Sequence, residues 1–167
     1  MIKKLSKKAS LLSALVLTMA LFAGCSNEKE NQKVADIEVK TIATKELQDK
    51  LSDDSWVVVD TRINDAFNGW KLDEVERGGH IKGAVDFSAN WLTVDSKDKE
   101  KTLDKALETK GIEKDKNIVL YDANGKDAKE VANYLSEKGY KNLYTYNVAD
   151  WAKDESLPME SYENYEM

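Results

Sequence analysis

The sequence predicts an α/β fold: a mainly parallel central sheet with helices on both faces. Two observations carry this expectation. Continuous apolar runs at Trp56-Val57-Val58-Val59 and Ile118-Val119-Leu120-Tyr121 have the character of strands buried on both sides. Helical segments that end near glycines separate and follow these runs, and strands alternating with helices imply right-handed crossovers.

Element by element, residues 37–42 read as a short strand. Residues 44–51 read as an amphipathic helix with Thr44 as its N-cap. The first buried strand, 56–59, is followed by a long polar loop with glycines over 61–83 and a short strand at 84–87. Residues 103–109 read as a helix stopped by Gly111, a residue suited to the left-handed C-cap. The second buried strand, 118–121, leads to a helix over 127–138 closed by Gly139, and then to a third strand at 143–146. Ligands of such sheets bind beyond the carboxyl ends of the strands, which directs attention to Asp60-Thr61-Arg62 and to 122–128.

The N-terminus follows other rules. Lys3, Lys4, Lys7 and Lys8 precede an apolar run over 11–24, and the small residues Ala23 and Gly24 precede Cys25. Residues 1–24 therefore read as a secretory signal, with an apolar run shorter than the ~20 residues of a permanent membrane span. The segment Phe22-Ala23-Gly24-Cys25 resembles a bacterial lipobox, with Phe22 where leucine is usual. That resemblance implies a diacylglycerol on Cys25, the new N-terminus after cleavage. Residues 25–36, charged and without aromatics, read as a flexible tether. A single domain over 37–155 and a C-terminal tail or connector over 156–167 complete the expected organisation.

Composition narrows the function. The net charge of −6 becomes more negative once the four lysines of the signal are removed. An acidic balance argues against nucleic acid and against side-chain adhesion to an anionic membrane. Membrane attachment is thus expected through the lipid on Cys25, at the outer face of the bacterial cytoplasmic membrane. One cysteine allows no internal disulfide, and one histidine with no other thiol excludes an ordinary zinc, copper or iron site. No metal or other cofactor is expected.

The loop Asp122-Ala123-Asn124-Gly125-Lys126-Asp127 leaves a strand and enters a helix within six residues. Such a loop gathers backbone N–H groups into a small bowl, and the helix start adds positive potential. Together with Val57-Val58-Val59-Asp60-Thr61-Arg62 and Gly79-His80-Ile81-Lys82-Gly83-Ala84, in this order, it makes the chain resemble a rhodanese domain, the sulfurtransferase fold. The resemblance covers roughly residues 37–151. It implies that the first loop position carries a persulfide cysteine and that a later arginine steadies the anionic donor. This chain has Asp122 and Asp127 there. A carboxylate cannot hold a sulfane sulfur. Two carboxylates ~5 Å apart at an effective dielectric of ~20 repel by ~3 kcal/mol, enough to discourage a dianionic donor.

Asp122 is therefore read as a structural acceptor for the N–H groups of the bowl. Asp127, with Glu130 three residues later, is read as a capping-box-like helix start. A phosphoaspartyl-type nucleophile would need further carboxylates, and Asp60-Thr61-Arg62 lacks the second aspartate. His80 reads as a loop-fixing residue rather than a general base. Asp60 and Arg62 tie a strand end to its neighbours, and Gly83 completes the turn motif. The segment 64–79 resembles an insertion whose Phe67, Trp70 and Leu72 are expected to be buried over the sheet. Lys82 stands where proline is common in the resembled motif, which softens the turn. Asn147-Val148-Ala149-Asp150-Trp151 lacks the Gly-Gly pair usual before the tryptophan, so this edge of the site is expected to be rebuilt.

A cysteine-less domain of this kind resembles the N-terminal half of tandem thiosulfate sulfurtransferases. Asn68-Gly69-Trp70, Arg77-Gly78-Gly79-His80 and the tail from Leu157 to Tyr162 fit that pattern. Two functions follow: a membrane-anchored, non-catalytic module that binds a protein partner or a small anion, or the non-catalytic half of a sulfurtransferase whose cysteine lies in a second domain or partner chain.

Overall fold

The computed structural model describes residues 38–162. The signal, Cys25 and the tether lie outside them, as does Ile37 of the first expected strand. The described chain runs β1 (Lys40–Thr41), α1 (Thr44–Lys50), β2 (Trp56–Asp60), α2 (Asn64–Asn68), β3 (His80–Ile81), β4 (Val85–Asp86), a 3-10 turn (Ala89–Thr93), α3 (Lys99–Thr109), β5 (Asn117–Asp122), α4 (Asp127–Glu137), β6 (Leu143–Asn147), α5 (Val148–Ala152) and β7 (Met159–Glu160). Five strands form one sheet in the order β1-β6-β5-β2-β4, every pair parallel, while β3 and β7 make a separate antiparallel ribbon.

Alternation along the central strands divides the core. Val59, Ile118, Leu120 and Leu143 face a layer built with Leu103, Leu107, Val131 and Leu135 of α3 and α4. Val58, Val119 and Tyr121 face the opposite layer, with Leu47 of α1, Trp151 of α5 and Leu157. Both sheet faces are thus covered, and the uninterrupted apolar runs in sequence are the cause. From β2 the chain proceeds outward to β4, and from β5 it proceeds the other way to β6. The switch point therefore lies between β2 and β5, where the Asp60 and Asp122 loops diverge.

Several expectations require correction. The first strand is only Lys40–Thr41. Ala43, not Thr44, is the N-cap of α1, and no side chain caps it. The Thr44 hydroxyl is engaged instead with the Tyr146 hydroxyl at 2.9 Å. The expected loop over 61–83 contains α2 and β3. Helix α3 begins at Lys99 and not at Leu103; its first turn is charged and carries no apolar spacing that would mark it in sequence. The boundary at 155/156 falls inside the fold: Leu157 is buried and β7 pairs with β3 in the register His80↔Glu160 and Ile81↔Met159.

Arg77 and its two glycines fix that last strand. The Arg77 guanidinium donates to the carbonyls of Trp151, Ala152, Asp154 and Leu157 at 2.7–2.9 Å. A Cβ at Gly78 would sit 1.8 Å from the Gly69 carbonyl oxygen, and one at Gly79 would sit 2.3 Å from that of Glu160. Only glycine allows these backbones to approach so closely. The Lys82 N–H donates to the Pro158 carbonyl at 3.2 Å, a bond that a proline at 82 would remove.

Candidate functional site: a carboxylate-filled loop at the switch point

Asp122 ends β5 and is 1% exposed. One carboxylate oxygen accepts the Gly125 N–H at 2.7 Å and the other the Ala128 N–H at 3.0 Å. The Asn124 side chain accepts the Lys126 N–H at 3.0 Å, and Gly125 turns the chain at φ +78°. The bowl that sequence spacing implied is present, and the carboxylate of its own first residue occupies the N–H groups. Ala123 is half-buried, while Asn124, Gly125 and Lys126 are exposed.

Asp127 does not cap α4. The N-cap position is Lys126, without a side-chain bond, and Asp127 already lies inside the helix. Asp122 acts as the cap in its place, because its bond to Ala128 satisfies an N–H of the first helical turn. Burial and then the neighbouring Asp122 charge raise the Asp127 pKa above the usual aspartate value; Lys126 opposes this, while Glu130 and Asp73 add to it. Beside the loop runs a groove of about 860 Å³ lined by Thr44, Asp122, Asn124, Lys129, Tyr146 and Asp150, among others. Of its lining residues outside the loop, Asn147 and Asp150 belong to the segment 147–151 expected to form a rebuilt edge of the site, while those on β1 and α4 carry no motif in sequence and are reached only by the rule that ligands sit beyond strand C-termini.

Asp60 and Arg62 lie on the other side of the switch point, 0% and 2% exposed. Arg62 clasps Asp60 through Nε at 2.9 Å and Nη2 at 2.6 Å, and Nη2 also donates to the Gly79 carbonyl at 2.7 Å. The Tyr121 hydroxyl donates to Asp60 at 2.9 Å and accepts the Ile81 N–H at 3.2 Å. Burial, followed by the Asp60 charge, drives the Tyr121 pKa well up and keeps the phenol neutral. Burial works against the Arg62 charge, but the bonds to Asp60 outweigh it and leave the pKa raised. Among the described residues, Arg62 Nη1 is the buried side-chain polar atom without a partner; the guanidinium lies over the Tyr121 ring at 5.5 Å. This network knits β2, β3 and β5 together. In sequence Tyr121 carries only a strand signal, and nothing marks its hydroxyl.

His80 is buried, bonds through Nδ1 to the Phe67 carbonyl at 2.9 Å, and stacks on the Phe67 ring at 3.9 Å. Gly83 turns between β3 and β4 at φ +78°, and its N–H donates to Glu160. At the far edge, the Asn147 side chain accepts the Ala149 N–H at 2.9 Å and starts α5 without any glycine. Phe67 is buried as expected and Leu72 half-buried, but Trp70 is 68% exposed. Its backbone follows the turn at Gly69 rather than folding back over the sheet.

A parallel sheet with its loop at the β5–α4 junction defines a rhodanese-type α/β domain. The profile of the rhodanese-like domain matches residues 43–152, and the chain belongs to that family. Among solved structures, the chain is similar to wild-type EanB (30% identity, TM-score 0.66), covering 75% of this chain and 28% of that one. It is also similar to the anaerobic ergothioneine biosynthesis enzyme from Chlorobium limicola in complex with its natural substrate trimethyl histidine. The identity there is 31% and the TM-score 0.68, over 77% of this chain and 29% of that one. An EanB variant with ergothioneine covalently linked to a persulfide cysteine matches at 30% identity and TM-score 0.66, over 74% and 28% of the respective chains. The chain thus spans under a third of the length of these structures.

Proposed function

We propose that this protein is a membrane-anchored rhodanese-like module that does not itself transfer sulfur and serves by docking a protein partner. The carrying observation is the Asp122 carboxylate, buried and bonded to Gly125 and Ala128 where sulfur chemistry would need a thiol. Sulfur transfer from thiosulfate places a sulfane sulfur on a nucleophile and releases sulfite. Residues 38–162 contain no cysteine to receive it. Asp127, five residues on at the start of α4, puts a second carboxylate beside Asp122, which disfavours an anionic donor. Docking of a protein is therefore preferred over capture of a small anion.

The lipid anchor at Cys25 rests on the signal-like residues 1–24 that precede it. A second reading is favoured by length: solved structures that match at 30–31% identity are covered for only 28–29%. On that reading the module is the non-catalytic half of a sulfurtransferase whose persulfide cysteine belongs to a second domain or chain.

Incubation of the unmodified protein with thiosulfate and cyanide tests the non-catalytic assignment: no thiocyanate forms above the protein-free rate if it is right, and steady turnover sinks it. Fractionation of cells tests the anchor: the native protein is expected in the membrane fraction and Cys25→Ser in the soluble one.

A further inference from the structure

Another cavity, of about 370 Å³, lies between the 3-10 turn with the segment that follows it and one face of α3. Trp91 and Val94 line one side, and Leu103 and Ala106 the other. It shares no residue with the groove beside Asp122. Its helical wall follows from sequence spacing: Lys99, Leu103 and Ala106 recur at four and three residues, which puts them on one face of α3. Leu103 belongs to the buried core layer, whereas Val94 is 53% exposed, so the apolar lining runs from the core to the surface.

The walls are fixed before any ligand arrives. Trp91 meets the Phe87 ring edge-on at 5.4 Å, and the Lys110 ammonium stands over its indole at 5.6 Å. Asp86 holds Lys110 in turn at 2.5 Å. The Thr102 hydroxyl, at the rim, donates to the Asp98 carbonyl at 3.0 Å. Preformed apolar cavities of roughly 300–1,000 Å³ are the usual sites of small ligands.

One cation enters this apolar lining. Lys99 is half-buried, and its ammonium donates to the Leu92 carbonyl. Among the described residues it takes part in no ion pair, although Asp95 and Asp98 are near it in sequence and exposed. An ammonium carries three donors, so Lys99 keeps donors for a further acceptor. Ser96, also on the lining, adds a hydroxyl. A partly desolvated ammonium beside an apolar space selects a ligand with an apolar body and one anionic end.

We infer that this cavity binds a free medium-chain carboxylate, with the alkyl chain between Trp91, Leu103 and Ala106 and the carboxylate on Lys99. A neutral alkyl ligand would leave the Lys99 donors unused. A ligand with two negative charges would exceed what one lysine compensates in a chain of net charge −6. The volume stands near the lower end of the range for small-ligand sites, which suits one alkyl chain and not the two chains of a membrane lipid. This site is independent of the docking function proposed above.

Photolabelling of the full chain in membranes tests the site, with octanoate carrying a diazirine near its methyl end as the probe. Label is expected within residues 91–106, mapped by peptide mass spectrometry. Excess octanoate should remove it, and excess octanol should not. Lys99→Met keeps an apolar stem but loses the charge, and should lower labelling at a fixed, low probe concentration about tenfold or more. Ala106→Trp fills the space and should abolish labelling; if that variant does not fold, Lys99→Met alone decides. No label, label spread evenly over the chain, equal competition by octanol or by dihexanoylphosphatidylglycerol, or unchanged labelling of Lys99→Met overturns the inference. Thiocyanate formation reports separately on the non-catalytic assignment, so the two fail independently.

Discussion

At residue scale the decisive group is the Asp122 side chain. It serves one N–H from the loop and one from the first turn of α4, so it joins the roles of plug and cap. Asp122→Ala leaves the buried Ala128 N–H without a partner and turns the Gly125 N–H to water, and is expected to cost about 1–3 kcal/mol, read from urea unfolding. Asp127 carries the opposite sign. Its folded pKa lies above the usual 3.8, so the folded state holds its proton more tightly than the unfolded chain does. Stability from this group is present at low pH and is lost as pH rises from about 3.8 through the folded pKa. Asp127→Asn should therefore stabilise slightly at pH 7, within about 0.5 kcal/mol for a site so open to solvent screening, and the gain should vanish in acid. Thermal melts of the two proteins across pH check this. The buried Asp60–Arg62 pair behaves differently again, and Arg62→Met should cost about 3–5 kcal/mol by leaving Asp60 unpaired in the interior.

At the scale of elements, what was legible in sequence depended on how much of each element's stability comes from its own burial pattern. β2 and β5 were legible because both of their faces are buried, which forces continuous apolar residues. Helix α4 was legible through Val131 and Leu135, four apart, and through Gly139 at φ +88°. α2, β3 and β7 were not, since each is two to five residues long and is held by partners distant in sequence. The tail read as a connector because one proline and a polar stretch look like one; the four Arg77 bonds that dock it leave no local trace. The same holds for the site. Asp122 and its loop were legible as a motif, whereas Asp122 rather than Asp127 as the helix cap required coordinates. Gly78→Ala tests the tight packing directly: with the Gly69 carbonyl oxygen only 1.8 Å from the new Cβ, loss of more than about 3 kcal/mol or failure to fold is expected by circular dichroism.

At the scale of the whole molecule, the fold and the loop chemistry point in different directions. The chain belongs to the rhodanese-like family and resembles sulfur-handling enzymes over most of its length. Yet the position that would carry sulfur holds a buried aspartate whose two carboxylate oxygens are engaged by backbone N–H groups. That arrangement suits a part that supports chemistry done elsewhere. The measurement that bears on this most directly is thiocyanate formation from thiosulfate and cyanide by the purified protein, with sulfite as the other product. A non-catalytic module forms no thiocyanate above the protein-free rate. Steady turnover by the unmodified protein, abolished by Asp122→Ala, would contradict that reading.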